Sequence, residues 1–377
     1  MKIPILQENL LYGLKVVSRA IPPRSTIPVL SNVLITTENG RLRLSATNLE
    51  LGVTCWVDAE IKEEGSITVP ARSFTDLITT LPKHTTISMQ LDMLTQTLNI
   101  HCGSLNTNIK GIDVKEFPPM PVPDLTNGIQ IDAIDLKEAI QRVVFATTTD
   151  ESRQVLNGVQ LNVAKNRMTF SATDGYRLSV RILESPISIS QSISIIIPAK
   201  SLTELTHVIN DDQIVTMIYM PDKKVVVFHL DTIELSSQII EGTYPDIDYV
   251  IPKSHTTRAI LSTVAFLDAC KQLIKVAGKD CIARINVIPD DKTGKVEIST
   301  KSDNEDDIKI ELDASVEGSG LQIGFETVHL RDALNAVDTP DVIFDTTTSN
   351  NPCVIRPTDD NNSIQVIMPC YLNESPK

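Results

Sequence analysis

Ile67-Thr-Val-Pro-Ala-Arg-Ser-Phe-Thr-Asp-Leu77 returns as Ile195-Ile-Ile-Pro-Ala-Lys-Ser-Leu-Thr-Glu-Leu205 and, more faintly, as Leu321-Gln-Ile-Gly-Phe-Glu-Thr-Val-His-Leu-Arg331, at steps of 126 to 128 residues. A second echo keeps the register: Leu44-Ser-Ala-Thr-Asn48, Phe170-Ser-Ala-Thr-Asp174 and, weakly, Ile298-Ser-Thr-Lys-Ser302. Val29-Leu-Ser-Asn-Val33 is echoed likewise by Val155-Leu-Asn-Gly-Val159. A period this long means three tandem domains rather than a short-repeat solenoid, because a unit of about 125 residues can bury a core of its own.

The junctions fall where three domains need them. Phe117-Pro-Pro-Met-Pro-Val-Pro-Asp-Leu-Thr-Asn-Gly128 cannot continue a helix or join a central strand. Gly242-Thr-Tyr-Pro-Asp246, leading through Val250-Ile-Pro-Lys-Ser-His255, is the second junction, and Phe117-Pro118 and Tyr244-Pro245 sit at matching points. The expected domains are residues 1–124, 125–251 and 252–377.

Within each unit the pattern predicts two helices among many strands. Glu8 to Arg19 places Leu10, Leu14 and Val17 on one face, with counterparts at Asp135 to Ala146 and Val264 to Val276. The second helix follows the Pro-Ala motif, with apolar stripes at Phe74, Leu77, Ile78 and Leu81, at Leu202, Leu205 and Ile209, and more loosely at Val328, Ala333, Leu334 and Val337. Arg41 to Ser45 and Ile308 to Leu312 alternate with period two, and Lys224 to Leu230 is a short β-branched run. The expected unit is α+β, an antiparallel sheet backing two helices.

Composition narrows the function. The chain of 377 residues is 41% hydrophobic and 22% charged, as soluble globular chains are, and no apolar run approaches a membrane span. The start, Met1-Lys-Ile-Pro-Ile-Leu-Gln-Glu8, lacks a signal-peptide core, so a cytoplasmic location is expected. Six scattered cysteines without a CxxC pair read as thiols in a reducing compartment. A net charge of −14 argues against a protein that coats nucleic acid with its whole surface. The six helix windows nevertheless sum to +3, leaving −17 elsewhere. If all six faced one lining, that lining would draw phosphate while the outside repelled it.

The chain resembles the bacterial DNA polymerase III beta subunit family, the sliding clamps, over essentially its full length. The resemblance rests on Ser25-Thr-Ile-Pro-Val-Leu-Ser-Asn32, Val69-Pro-Ala-Arg72, Leu156-Asn-Gly158, Ala172-Thr-Asp-Gly-Tyr-Arg-Leu178, Tyr244-Pro-Asp246 and Val366-Ile-Met-Pro369. It implies three clamp domains with sheets outside and two helices each inside, and a head-to-tail homodimer closed into a ring around duplex DNA. It also implies a non-catalytic processivity factor without a cofactor. The partners it implies are the replicative polymerase, a clamp-loader ATPase that opens and closes the ring, and other polymerases and repair proteins bearing a short clamp-binding peptide.

Carried over residue by residue, the resemblance places a partner-peptide groove at Leu156, Thr173, Gly175, Tyr176, Arg177, Leu178, Pro245, Tyr249, Val250, Val366, Ile367, Met368, Pro369 and Cys370. Aliphatic and Met side chains suit an adaptable pocket serving several peptides. By position, the cations lining a DNA channel would be Lys15, Arg19, Arg24, Arg72, Lys137, Arg142, Lys200, Lys271 and Lys275, long and flexible as sliding without base readout requires. A dimer interface would set Leu77, Thr107 and Ile109 against Val276 and Ala277. Four features depart from the family pattern: Tyr249 stands where a basic residue is found in some relatives, Cys370-Tyr371-Leu372 replaces a tail that often contains Arg, Thr107 stands where a large apolar residue is expected, and Gly324-Phe325 where Pro-Ala is. The extension Asn373 to Lys377 is expected to be disordered.

An enzyme is the rival class, but the chain has no GxxxxGK[ST] loop, HExxH or GxSxG, and its six histidines have no metal-ligand spacing. The acidic run Asp303 to Asp307 reads as a solvated loop rather than a cation site. The alternative to a clamp is a three-domain protein-binding scaffold that does not hold DNA topologically.

Overall fold

The computed structural model describes residues 1–184, 191–290, 294–300 and 308–372, so the acidic run Asp303 to Asp307 and the extension Asn373 to Lys377 lie outside the described residues. Each repeat runs strand, helix, three strands, and then the same series again. The first contains β1 (Lys2–Leu6), α1 (Gln7–Val17), β2 (Asn32–Glu38), β3 (Arg41–Thr47), β4 (Leu51–Val57), β5 (Ser66–Pro70), α2 (Ala71–Thr80), β6 (Thr86–Asp92), β7 (Thr97–Cys102) and β8 (Leu105–Lys110). The second contains β9 (Ile129–Asp132), α3 (Ala133–Val143), β10 (Gly158–Ala164), β11 (Arg167–Thr173), β12 (Arg177–Glu184), β13 (Ile193–Pro198), α4 (Ala199–Val208), β14 (Ile214–Met220), β15 (Val225–Leu230) and β16 (Ile233–Gln238). The third contains β17 (Thr257–Ser262), α5 (Thr263–Ala277), β18 (Ile282–Ile288), β19 (Gly294–Thr300), β20 (Ile308–Gly318), β21 (Leu321–Glu326), α6 (Thr327–Asn335), β22 (Asp341–Thr346), β23 (Cys353–Pro357) and β24 (Ser363–Ile367).

The sequence echoes fall on equivalent elements. The Ser-Ala-Thr echo lies on β3 and β11, and the Pro-Ala echo is the strand-to-helix step of β5 to α2 and β13 to α4. The third copy corrects the alignment. Asn32 pairs with Pro70, Gly158 with Pro198 and Ile282 with Glu326, so Glu326-Thr327, not Gly324-Phe325, stand in place of Pro-Ala. The step is therefore 128 residues both times, and β21 keeps its two apolar core residues Ile323 and Phe325.

Helix bounds follow burial. Leu10, Leu14 and Val17 are the buried stripe of α1, Phe74 and Ile78 that of α2, and Leu202 and Leu205 that of α4. The first helices of the first two repeats end earlier than expected, at Val17 and Val143, and each passes into one 3-10 turn. In the third repeat Phe344 receives Phe266 and Phe325 edge-on, with ring centroids 6.0 and 6.1 Å away. No helix among the described residues is long and apolar enough to cross a membrane.

The chain packs as two compact units, residues 1–136 with 200–239 and residues 137–199 with 240–377, so the middle repeat contributes to both. Strand pairing across repeats is the cause. In the first unit β4 pairs with β16, which makes the eight-stranded sheet β5-β2-β3-β4-β16-β15-β14-β9; the four-stranded sheet is β1-β6-β7-β8. In the second unit β12 pairs with β24 within the sheet β13-β10-β11-β12-β24-β23-β22-β17-β20-β19-β18-β21. In both cases the last strand of one repeat joins the fourth strand of the repeat before it. The edges of β5, β13 and β21 are each met by a single bridge just past the end of their own repeat, Thr68 to Ile112, Ile196 to Ile240 and Gly324 to Cys370. These short bridges blunt edges that would otherwise invite further strands.

Candidate functional site

The turn from β11 to β12 is built by the Thr-Asp-Gly-Tyr-Arg string itself. The Asp174 carboxylate accepts from the amides of Tyr176 and Arg177 at 2.9 and 3.0 Å, and Thr173 Oγ1 donates to the Arg177 carbonyl at 2.6 Å. Gly175 takes a φ of +93°, a conformation that favours glycine. Arg177 is locked in place: Nε donates to Asp174 at 3.0 Å, Nη1 to Asp332 at 2.7 Å and Nη2 to the Phe145 carbonyl at 2.8 Å, with its guanidinium over the Phe145 ring. Its charge is neutralised within the protein, so it positions the turn rather than offering a free cation. His329, nearby, is held below its ordinary pKa by burial and then by the Arg177 charge.

The second wall comes from the junction. Tyr244 is buried, its hydroxyl accepts from the Thr173 amide at 3.0 Å, and burial pushes its pKa up to about 12. Pro245 follows, and Asp246 caps a 3-10 turn over Ile247–Tyr249. Ile247 and Ile251 pack onto Leu178, Val180, Ile182 and Val366, a small core on the β12–β24 pair. The Met368 amide donates to the Tyr176 carbonyl at 2.8 Å, extending that ladder by one step.

Between these walls lies a shallow trough of about 130 Å³. Ten of the fourteen expected groove residues line it: Leu156, Thr173, Gly175, Tyr176, Arg177, Leu178, Pro245, Val250, Val366 and Met368. Its rim is apolar yet wet, with Met368 39% and Tyr176 59% exposed. Such a surface gains by covering. The other four expected residues lie elsewhere. Tyr249 is 90% exposed and outside the lining, Ile367 is buried in the core of the third repeat, Pro369 is also outside the lining, and Cys370 is held on β21 by the hydrogen bond its amide donates to the Gly324 carbonyl. Ile247 lines the trough and was not expected. Its signal was the matching junctions, since Met120 and Ile247 each follow the junction proline by two.

The expected channel cations divide. Lys15, Arg24, Arg72, Lys200 and Lys275 are exposed and Lys137 is half-buried. Arg19 bonds Glu204 at 2.9 Å and Lys271 bonds Asp268 at 3.3 Å. Arg142 is a correction: it is 7% exposed and ion-paired to Glu138, to Asp338 at 2.5 Å and to Asp360 at 3.9 Å. With its charge met by three carboxylates it cannot serve as a solvent-facing phosphate contact. Of the expected interface residues, Thr107 and Ile109 lie half-buried on β8 and Leu77 half-buried on α2, while Val276 and Ala277 end α5.

Three family models match in tandem: the DNA polymerase III beta subunit N-terminal domain over residues 1–121, its central domain over 130–246 and its C-terminal domain over 248–371. The beta sliding clamp of Bacillus subtilis is 28% identical, covering 98% of this chain and 99% of that protein, and that of Staphylococcus aureus is 29% identical at the same coverage. Among solved structures, the B. subtilis DNA polymerase sliding clamp superposes with a TM-score of 0.92 at 27% identity, covering 99% of both chains. The DNA polymerase III subunit beta from Pseudomonas aeruginosa gives 0.92 at 26%, covering 99% of this chain and 100% of that one. The chain belongs to the DNA polymerase III beta subunit family, the bacterial sliding clamps.

Proposed function

We propose that two copies of this chain close head to tail into a ring that encircles duplex DNA and tethers the replicative polymerase to it. The single observation that best supports this reading is the repeated strand rule. The last strand of the second repeat joins β4, and the last strand of the third joins β12. The last strand of the first repeat, β8, pairs among the described residues only with β7. The fourth strand of the third repeat, β20, meets β17 only through Ala314 to Gly318, which leaves Ile308 to Asp313 with one open side among the described residues. The rule is completed if β8 of one copy joins β20 of a second, twice over, and the two open edges are used up. In that assembly the domains are residues 1–124, 125–251 and 252–377, Leu77, Thr107 and Ile109 approach Val276 and Ala277, and Lys15, Arg24, Arg72, Lys200 and Lys275 serve the channel.

The chain contributes no catalysis of its own. The trough between the Tyr176 turn and the junction takes an extended peptide with apolar anchors, borne by the polymerase, the clamp loader and repair proteins working on cytoplasmic DNA. Retention on nicked circular DNA after loading with a cognate loader and ATP tests the reading. Persistence on the circle with loss on linearisation is expected. Equal retention on both forms would reduce the chain to a contact binder, and no retention with a competent loader would favour the protein scaffold.

A further inference from the structure

The junction that walls the trough has a second side. Ile251, which packs with Ile364 onto the same small core, also lines a separate and larger cavity of about 360 Å³ in the second unit. Its apolar wall includes Ile251, Pro252, Pro352, Val354 and Ile364, and its polar wall includes Lys253, His255, Asp345, Thr347 and Arg356.

The polar wall is rich in donors. Asp345, 7% exposed, accepts from Arg258 at 2.7 and 2.9 Å and from Arg356 at 3.0 Å, so its oxygens are already served by three N–H groups. Arg258 also sits across from Glu317 on β20. Arg258 Nη2 approaches His255 Nδ1 at 3.1 Å; a guanidinium only donates, so Nδ1 accepts and the ring hydrogen sits on Nε2. Asn351 donates to Thr347 Oγ1 at 3.0 Å, which leaves the Thr347 hydroxyl hydrogen available. Arg356 Nε is buried and has no hydrogen-bond partner among the described residues. Of the residues that line the cavity, Lys253 and Arg356 are permanent cations and Asp345 is the one carboxylate, so the lining is net positive. Lys253 and the exposed part of the Arg356 guanidinium offer charged donors beyond the one that Asp345 already takes, and such donors favour an anion.

We propose that this cavity is a second ligand site, taking a small amphipathic anion whose carboxylate or phosphate meets Lys253, His255 and Arg356 and whose apolar body lies against Ile251, Val354 and Ile364. The site is distinct from the peptide trough and does not depend on what the trough binds. An apolar body matters because the cavity is far larger than one oxyanion and five of its twelve lining residues are aliphatic or proline.

The test is titration of the full chain with phenyl phosphate, benzoate and inorganic phosphate, following the His255 ring resonance by NMR. Saturable displacement by phenyl phosphate or benzoate is expected, the stronger of the two naming the preferred oxyanion, with inorganic phosphate the weakest of the three. Lys253→Gln, a change at an exposed side chain, is expected to weaken binding about tenfold, as loss of one charge-assisted contact does. Arg356→Gln should weaken it at least as much. No saturable displacement by any probe, or equal affinity in Lys253→Gln and the parent chain, would overturn the proposal. Inorganic phosphate binding as tightly as phenyl phosphate would overturn the amphipathic part of it.

Discussion

The trough beside β12 has a counterpart beside β4, and the two differ in side chains more than in backbone. Both lie where the last strand of one repeat pairs with the fourth strand of the repeat before it, under a proline-bearing junction. Leu178 opposite Val366 becomes Gly52 opposite Ser236. The counterpart cavity, about 170 Å³, is lined by Glu50, Ser236, Ser237 and Gln238 as well as Pro118 to Pro121. Met120, the position equivalent to Ile247, packs so closely that a Cβ on Gly52 would lie 2.7 Å from its Cε. One apolar pair makes a floor for a guest's anchors; one glycine lets the chain's own methionine take that place. Cavity size does not separate the two sites, but wall chemistry does.

Giving the trough its counterpart's residues should have the largest effect. Leu178 and Val366 are already buried, so Leu178→Gly with Val366→Ser acts by emptying the small core beneath the trough, at about 2 kcal/mol or more of folding stability each, and affinity for an extended apolar peptide should fall at least about tenfold in an anisotropy titration. Unchanged affinity would mean that the trough is not the docking site. Arg177 corresponds to Leu51, which is buried without a charge partner. Arg177→Leu would take one partner each from Asp174, which keeps the amides of Tyr176 and Arg177, and from Asp332, which keeps Arg331, and should cost about 1 to 2 kcal/mol of stability by denaturant unfolding. A loss within error would show that the network is dispensable.

Acid should also distinguish the two regions. Arg142 and Arg181 of the second repeat occupy the places of Val16 and Cys55 in the first, so only the second unit has the cluster in which both arginines reach Asp360. Burial alone would raise the Asp360 pKa, but the Asn362 amide, Arg181 and Arg142 outweigh it and hold the carboxyl below its ordinary value of 3.8. A depressed folded-state pKa gives stability that is present above the unfolded value and lost as pH falls through the folded one. Protection factors around β12 and β24, corrected for the intrinsic pH dependence of amide exchange, should therefore fall below about pH 4, and Asp360→Asn should remove that fall. The smallest expected effect is that of Tyr244→Phe, which installs the residue of the first junction, Phe117. It leaves the Thr173 amide without its acceptor and should cost about 1 kcal/mol in thermal unfolding. A neutral result would mean that water replaces the hydroxyl.

The repeats and the helices were legible because each leaves a local or periodic mark, whereas the trough residues came from the family resemblance that the Ala172 to Leu178 string and the Val366 to Pro369 segment carry. Leu10, Leu14 and Val17 have helical spacing, and the Thr-Asp-Gly-Tyr-Arg string builds its own turn. What was not legible depends on residues distant in sequence. Arg142 looks like a helix-surface cation until Asp338 and Asp360, about two hundred residues on, are seen to meet it. Cys370 reads as part of an apolar tail, yet its backbone is claimed by Gly324. Pairing of β4 with β16 and of β12 with β24 leaves no period in either strand, since alternation fixes which face is buried and not which neighbour is chosen.

The central claim is that β8 of one copy pairs with β20 of another, and the repeat rule fixes the register. Ser179 pairs with Gln365 and Val53 with Leu235, and the equivalent positions in β20 and β8 are Ile308 and Thr107. The most direct measurement is oxidative cross-linking of a Thr107→Cys, Ile308→Cys double variant against both single variants. The account predicts a disulfide-linked dimer from the double variant alone, which stays on closed circular DNA in denaturant after loading. A double variant that stays monomeric, or one that links but leaves the circle when denatured, would contradict it.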